Sequence, residues 1–262
     1  MTTLDWRGTG VSVREPAAGV GAQIVLLALL WVGVGLCPAG WLAGTAYAVV
    51  LSVILTCALL RSNTRSLGPA GLVTLARAEL VGGVTALVTT DRMGREAPIA
   101  FIVVLATVAL VLDAVDGHVA RRTGTASALG ARFDMEVDAF LILVLSVFVA
   151  RSVGLWVLAI GAMRYAFAAA AWAAPWLRAP LPPSFARKTV AATQGIILVA
   201  AGSGVAPPPV AAGLVAVALA SLVWSFGRDV GWLWQERARA YERPRPRHGG
   251  PVPRPLQHSK RH

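Results

Sequence analysis

The chain has 262 residues, of which 56% are hydrophobic and only 14% are charged, and it carries a net charge of +11. A soluble domain usually has about 25% charged residues, so this composition argues against a soluble enzyme. Nucleic-acid binding is not expected either, because nothing in the sequence suggests a folded basic surface with aromatic side chains. The composition instead indicates a protein embedded in a lipid bilayer.

Eight apolar segments follow one another along the chain, and several have the roughly 20 residues that a helix needs to cross a bilayer. They lie near residues 20–36, 41–60, 72–90, 98–116, 131–150, 153–175, 189–204 and 208–226. The sequence therefore predicts an all-α polytopic membrane protein with about eight transmembrane helices.

Polar breaks divide the chain into three parts. Residues 1–66 form a polar lead and a two-helix membrane extension, and residues 67–228 form a six-helix core. Residues 229–262 form a basic tail rich in Pro and Arg, which we expect to be disordered beyond about residue 243. The tail could bind anionic lipid headgroups or could simply enforce the topology. Cys37 and Cys57 lie in apolar runs and are interpreted as free, buried thiols.

Basic residues are unevenly distributed between the two ends of the predicted helices. If both termini face the cell interior, 18 of the 24 Lys and Arg residues fall in internal loops and tails, whereas Arg92, Arg95 and Arg151 fall in external loops. This bias follows the positive-inside rule. It predicts a multi-pass protein of the plasma membrane with both termini in the cytoplasm.

Four carboxylates fall within one short window, at Asp113, Asp116, Asp134 and Asp138. A carboxylate near the middle of a bilayer costs roughly 2.5–3.5 kcal/mol, so it is rarely present without a function. The spacings i, i+3 and i, i+4 put each pair on one face of a helix. The short connection should make the two helices antiparallel neighbours, so that the acids converge. Such a cluster favours a divalent cation, with Mg²⁺ the first choice and Mn²⁺ the second.

Small residues and an arginine accompany the acids on the same two segments. Gly117, Ala120 and Gly130 leave room for a ligand or a second backbone to approach closely. Arg121 lies one turn beyond Gly117, and its guanidinium matches the geometry of a phosphate. Together with the acids, these residues indicate a cytoplasmic site for a ligand that carries a pyrophosphate.

The complete pattern, D-x-x-D-G-x-x-A-R-x(8)-G-x-x-x-D-x-x-x-D from Asp113 to Asp138, resembles the signature of the class I CDP-alcohol phosphotransferase family, also called CDP-alcohol phosphatidyltransferases. The resemblance implies transfer of a substituted phosphate from a CDP-alcohol, most often CDP-diacylglycerol, to a second alcohol, with release of CMP. It also implies a role in phospholipid biosynthesis and a homodimeric assembly.

The resemblance further implies a role for each residue of the motif. Asp113, Asp116 and Asp134 would bind the metal ions, and Asp138 would contribute to metal binding and act as the general base. The residues that would shape the binding pocket for the CDP-alcohol are Asp116, Gly117, Ala120, Arg121 and Gly130. Thr74 joins this group because Thr74 and Arg77 match part of a P-N-x-x-T-x-x-R pattern that family members often carry, although Ala70 and Gly71 depart from it.

Basic residues outside the motif are candidates for binding the acceptor. Arg77 faces the site or pairs with Glu79 or the aspartates. Arg164 lies inside an apolar segment, where an arginine either binds a ligand or pairs with a carboxylate. Arg187 and Lys188 meet an acceptor or serve only the topology.

Two further polar residues receive weaker assignments. Glu136 should pair with a neighbouring base, because a helix turns it away from the face that carries Asp134 and Asp138. Gln194 is a minor polar candidate on the next segment.

Several other functions fit parts of the pattern. A cation transporter would use the acids but would leave Gly117, Ala120, Arg121 and Gly130 unexplained. An aromatic prenyltransferase would need two acidic motifs far apart in sequence, and a catalytically silent scaffold would not need the acids. A CDP-alcohol transferase with a donor that is not a lipid also remains open. The sequence does not identify the acceptor among glycerol phosphate, inositol phosphate and serine.

Overall fold

The structure is a computed structural model that describes residues 14–62, 68–123, 128–182 and 184–242. Within these ranges the chain is all-helical, as predicted from the apolar segments. The eight helices are α1 (Arg14–Val34), α2 (Pro38–Ser62), α3 (Gly68–Arg92), α4 (Ile99–Thr123), α5 (Ala128–Val153), α6 (Leu158–Ala173), α7 (Phe185–Gly202) and α8 (Pro208–Glu242). Short 3₁₀ turns at Leu155–Val157 and Pro175–Arg178 flank α6.

The length and apolarity of the helices identify a membrane protein. Five stretches in the described ranges are long and apolar enough to cross a bilayer, namely Pro16–Val34, Pro38–Arg61, Gly71–Arg92, Leu155–Ala173 and Pro208–Arg239. Large hydrophobic side chains such as Val32, Leu42 and Val217 lie exposed on the outside of the bundle. A lipid environment tolerates these apolar faces, and the helices satisfy their own backbone hydrogen bonds there.

The α1–α2 hairpin packs against α3. Gly35, with a φ of 75°, ends α1 in the left-handed conformation that favours glycine, and Pro38 begins α2. Gly82 of α3 faces the Gln23 side chain so closely that a Cβ atom there would collide with it. Small residues therefore let the hairpin approach α3, as is common between membrane helices.

Helix α3 occupies the centre of the bundle, and this differs from the expected arrangement of α4 and α5. We expected α4 and α5 to be neighbours, but among the described residues α3 packs extensively against both of them, whereas they share few close contacts. The short α4–α5 connection determines that their acidic segments lie at the same end. It does not determine which helix packs against both of them, and in the structure this helix is α3.

Helix α8 extends further than the sequence indicated. The predicted tail began at residue 229, but α8 continues to Glu242. No proline interrupts the chain between Pro209 and Pro244, and this segment has packing partners. Leu233 is buried, and the Arg237 guanidinium lies over the rings of Trp176 and Trp234. Residues 243–262 lie outside the described part of the chain.

The two cysteines differ in their surroundings. Both are free thiols, as predicted. Cys37 is buried, but Cys57 is exposed, so the prediction that both are buried is wrong for Cys57. An apolar membrane helix presents part of its surface to lipid, and a thiol on that surface is not enclosed by protein.

Candidate functional site

Three of the four predicted metal ligands converge in the structure. Asp113 of α4 and Asp134 and Asp138 of α5 each offer a carboxylate oxygen, and these three oxygens lie within 4.8 Å of one another. Their side chains are 36%, 34% and 41% exposed, respectively. The i, i+4 spacing puts Asp134 and Asp138 on one face of α5, as the sequence indicated.

The fourth acid and three other predicted residues cannot be placed to the same degree. Asp116, Ala120 and Arg121 lie on α4, and Lys188 lies on α7. Their side chains fall outside the part of the chain that the structure describes. Their roles therefore stay predictions.

The guanidinium of Arg77 contacts all three acids. One of its terminal nitrogens donates to Asp113 and the other donates to the carboxylate of Asp134 and, at 3.1 Å, to the main-chain oxygen of Asp134. The second nitrogen is also 3.1 Å from a carboxylate oxygen of Asp138. The Arg77 side chain is completely buried. Of the alternatives raised by the sequence, the structure therefore favours pairing with the aspartate cluster.

The acids form one wall of a cavity of about 790 Å³ among helices α4 to α8. Asp113, Asp134 and Asp138 line this cavity, and so does Gly117. Most of the remaining surface is apolar and includes Leu110, Ile142, Ile160, Val190, Leu222 and Phe226. Thr74, Arg77 and Gly130 were expected to contact ligands, but they are not among the residues that line it. Arg77 in particular lies behind the acids, where it is shielded from an acceptor in the cavity.

Two arginines on other helices also line the cavity, and each pairs with an acid. Arg164 of α6 binds Glu136, and its other terminal nitrogen lies 3.0 Å from the sulfur of Met135. This confirms the prediction that Glu136 pairs with a neighbouring base. Arg187 of α7 lies 3.3 Å from a carboxylate oxygen of Asp229 on α8.

Two polar cavity residues on α8 were missed by the sequence analysis, namely Ser225 and Asp229. Both lie near or beyond the predicted end of the last segment, where Asp229 was assigned to the tail. Their i, i+4 spacing would place them on one face of a continued helix, and this was the available signal. Gln194 also lines the cavity, and its amide nitrogen donates to the main-chain oxygen of Ala218 at 3.0 Å, which joins α7 to α8.

The acid cluster has the chemistry of a site for a hard divalent cation. Its ligand atoms are all carboxylate oxygens, which Mg²⁺ and Mn²⁺ prefer. The three side chains are partly exposed and line a cavity large enough for a substrate, so an ion there could reach phosphate oxygens as well as protein. The residues present therefore fit a divalent ion.

Comparison with known proteins gave one finding. The model of a family described as CDP-alcohol phosphatidyltransferase matches residues 67–224, which is more than half of the chain. Comparisons with curated proteins and with solved structures gave no significant match.

Proposed function

The chain belongs to the CDP-alcohol phosphatidyltransferase family, and from this premise we propose that it transfers a phosphatidyl group from CDP-diacylglycerol to a small alcohol in phospholipid biosynthesis. Membership supports the transfer of a phosphoryl-alcohol group from a CDP-alcohol donor to an alcohol acceptor. The lipid donor is supported by the cavity, whose walls are mostly apolar and which lies inside a bundle of membrane helices. The observation that carries the proposal is the convergence of three motif aspartates on this cavity.

The acids provide the binding site for the pyrophosphate of the donor. The family is generally dependent on divalent metal ions, and we propose that Asp113, Asp116, Asp134 and Asp138 hold Mg²⁺, with Mn²⁺ as a substitute. Such ions neutralise the charge on phosphate oxygens and stabilise the leaving oxygen. Gly117 lines the cavity beside Asp113, so its lack of a side chain gives the nucleotide room to approach α4. Ala120, Arg121, Gly130 and Thr74 remain proposed contacts of the CDP moiety.

Asp138 is the proposed general base. It lines the cavity, and its partly exposed carboxylate can accept the proton of the acceptor hydroxyl. The acceptor oxygen then forms a bond to the β-phosphorus, and the bond from that phosphorus to the oxygen of CMP breaks. The electron pair of this bond leaves with CMP. General base catalysis of this kind contributes about 10²–10⁴ to the rate.

Arg164 and Arg187 are the proposed contacts of the acceptor. Both line the cavity, where Arg164 pairs with Glu136 and Arg187 pairs with Asp229. A phosphate on the acceptor would give these guanidinium groups an additional anionic partner. Lys188, the neighbour of Arg187, stays a candidate for the same role.

The cellular arrangement is also part of the proposal. The excess of Lys and Arg in the loops and tails on one side supports a plasma-membrane protein with both termini and the site in the cytoplasm. A homodimer is expected from the family. The family match does not favour a cation transporter, an aromatic prenyltransferase or a silent scaffold.

Product analysis tests the proposed reaction. Purified protein in lipid nanodiscs is incubated with Mg²⁺, CDP-diacylglycerol and one acceptor from a panel of serine, glycerol 3-phosphate, inositol and inositol 1-phosphate. We expect CMP and one new phospholipid in equal amounts, and we expect the release of CMP to stop when EDTA removes the ion. CMP release only from a CDP-alcohol without acyl chains would retain the transferase but refute the lipid donor. Flux of metal ions without CMP release would refute the proposal.

A further inference from the structure

The guanidinium of Arg77 is a buried cation that contacts three carboxylates. The Arg77 side chain is 0% exposed, whereas the side chains of Asp113, Asp134 and Asp138 are each about one-third exposed or more. The acids line the cavity and Arg77 does not. The guanidinium therefore contacts the carboxylates from the protein interior, on the side away from the substrate.

We propose that Arg77 is a positioning residue that acts as an internal counterion of the acid cluster. It neutralises part of the charge of the three aspartates, orients them toward the cavity and keeps the site assembled whether or not a divalent ion is bound. This extends the proposed function, since it rests on the assignment of the acids as metal ligands. It gives Arg77 a role different from the acceptor contact that the sequence suggested.

Electrostatics explains why such a residue is needed. Three carboxylates whose oxygens lie within 4.8 Å of one another repel strongly, and burial in a membrane protein increases the cost. A buried cation at the rear of the cluster lowers that cost without occupying the substrate side. Groups that bind metal ligands from behind also fix their orientation. A variant without this cation leaves more negative charge for a divalent ion to neutralise, so the ion should stabilise it more.

The shape of the arginine side chain matters as well as its charge. Its two terminal nitrogens reach acids on two different helices, Asp113 on α4 and Asp134 and Asp138 on α5. A lysine ammonium at this position would supply the charge but not the planar fork that bridges the helices. Arg77→Lys should therefore recover only part of the effect of the native residue.

The α1–α2 hairpin packs against α3 close to Arg77. Gln23 of α1 is completely buried, and its amide nitrogen, in the orientation that satisfies its neighbours, donates to the main-chain oxygen and the carboxylate of Glu79 at 2.9 and 2.8 Å. Glu79 lies two residues after Arg77 on α3. The position of the Arg77 backbone is thus fixed by packing on the side of α3 that faces α1.

Thermal unfolding in detergent tests the proposal without any measurement of activity. Wild type, Arg77→Gln, Arg77→Lys and the matched control Arg164→Gln are each compared in EDTA and in saturating Mn²⁺. We expect Arg77→Gln to lose the most stability in EDTA and to gain more from Mn²⁺ than wild type does, by roughly 5 °C or more in melting temperature. Arg77→Lys should lie between the two, and Arg164→Gln should respond to Mn²⁺ as wild type does. Equal EDTA melting temperatures for Arg77→Gln and Arg164→Gln would overturn the proposal.

A double variant keeps the test decisive if Arg77→Gln does not fold. Adding Asp134→Asn removes one of the acids that Arg77 neutralises, so the double variant should recover folded protein and stability relative to Arg77→Gln. Failure to recover would mean that Arg77 matters for packing rather than for charge, and the proposal would be wrong. Electron paramagnetic resonance of the wild-type protein with Mn²⁺, in the absence of the CDP-alcohol, measures metal binding directly. It therefore tests the metal site separately from the counterion role of Arg77. If no Mn²⁺ binds, the metal site fails, and the counterion role is judged from the EDTA measurements alone.

Discussion

The acid cluster and the rest of the cavity lining use arginine in different ways. Behind the acid wall, Arg77 is fully buried and binds three carboxylates. Arg164 and Arg187, in contrast, are partly exposed, line the cavity and, among the described residues, pair with one carboxylate each. A buried cation that neutralises several acids is a structural requirement, whereas a partly exposed one can change partners when a ligand arrives. The same residue type therefore maintains the site in one region and is available for recognition in the other.

The largest effect is expected at Asp138, on the acid wall itself. Asp138→Asn should lower kcat by about 10²–10⁴, because the amide cannot accept the proton of the acceptor hydroxyl. The asparagine keeps an oxygen for Arg77, so the melting temperature should change little. Steady-state kinetics of CMP release provides the measurement. The control Glu96→Gln changes an exposed acid outside the cavity and should keep wild-type activity. Full activity in Asp138→Asn would refute its assignment as the base.

The next largest effect separates the two kinds of arginine by stability. Arg77→Gln should lower the free energy of unfolding by about 3 kcal/mol in EDTA, because it leaves three closely spaced, partly exposed acids without their buried cation. Arg164→Gln should cost about 1 kcal/mol or less, because its ion pair is partly exposed. Unfolding by SDS in mixed micelles measures both values. Similar losses of stability in the two variants would contradict the distinction between the buried arginine and the partly exposed one.

A smaller loss is expected where the hairpin supports the acid wall. Gln23→Leu keeps the approximate size of the side chain but removes the donor to Glu79, so it should lower the free energy of unfolding by about 1–3 kcal/mol. Val25→Ala, an exposed position on the same helix, serves as the control and should change stability little. The same SDS titration compares them. An unchanged stability in Gln23→Leu would show that the Gln23–Glu79 contact does not hold α3.

The smallest effect is expected at Arg164 and Arg187, the two arginines that line the cavity. Arg164→Gln and Arg187→Gln should each raise the KM for a phosphorylated acceptor by about 10-fold, because a hydrogen bond to a charged group is worth about 1.5–3 kcal/mol and tenfold corresponds to 1.4 kcal/mol. The KM for the CDP-alcohol should stay the same. Initial rates with each substrate varied in turn give both constants. An increase only in the donor KM would reassign these arginines to the nucleotide.

The fold class and the shared helix face of Asp134 and Asp138 followed from simple sequence patterns. Apolar runs of sufficient length predict membrane helices because lipid cannot satisfy an open backbone, and the eight helices of the described ranges agree with that. The i, i+4 spacing of Asp134 and Asp138 predicted their shared face. The pairing of Glu136 with a base also followed from helical periodicity, since Glu136 must point away from that face.

Other features depended on residues that are distant in sequence. The continuation of α8 past residue 228 depends on Leu233 and on the stacking of Arg237 over Trp176 and Trp234, and no local pattern reveals these partners. Asp229 was assigned to a tail for the same reason, although it lines the cavity and pairs with Arg187. Exposure of Cys57 likewise depends on which side of α2 faces the bundle.

The sequence by itself determined that the chain forms membrane helices and that it carries clustered acids in a family-specific spacing, because both properties depend on residues close together along the chain. Only the tertiary structure decided that α3 lies against both α4 and α5 and that the buried Arg77 contacts the acids while Arg164 and Arg187 line the cavity. The reason is physical: periodicity fixes the face of a helix on which a side chain lies, but packing between helices fixes what that face meets.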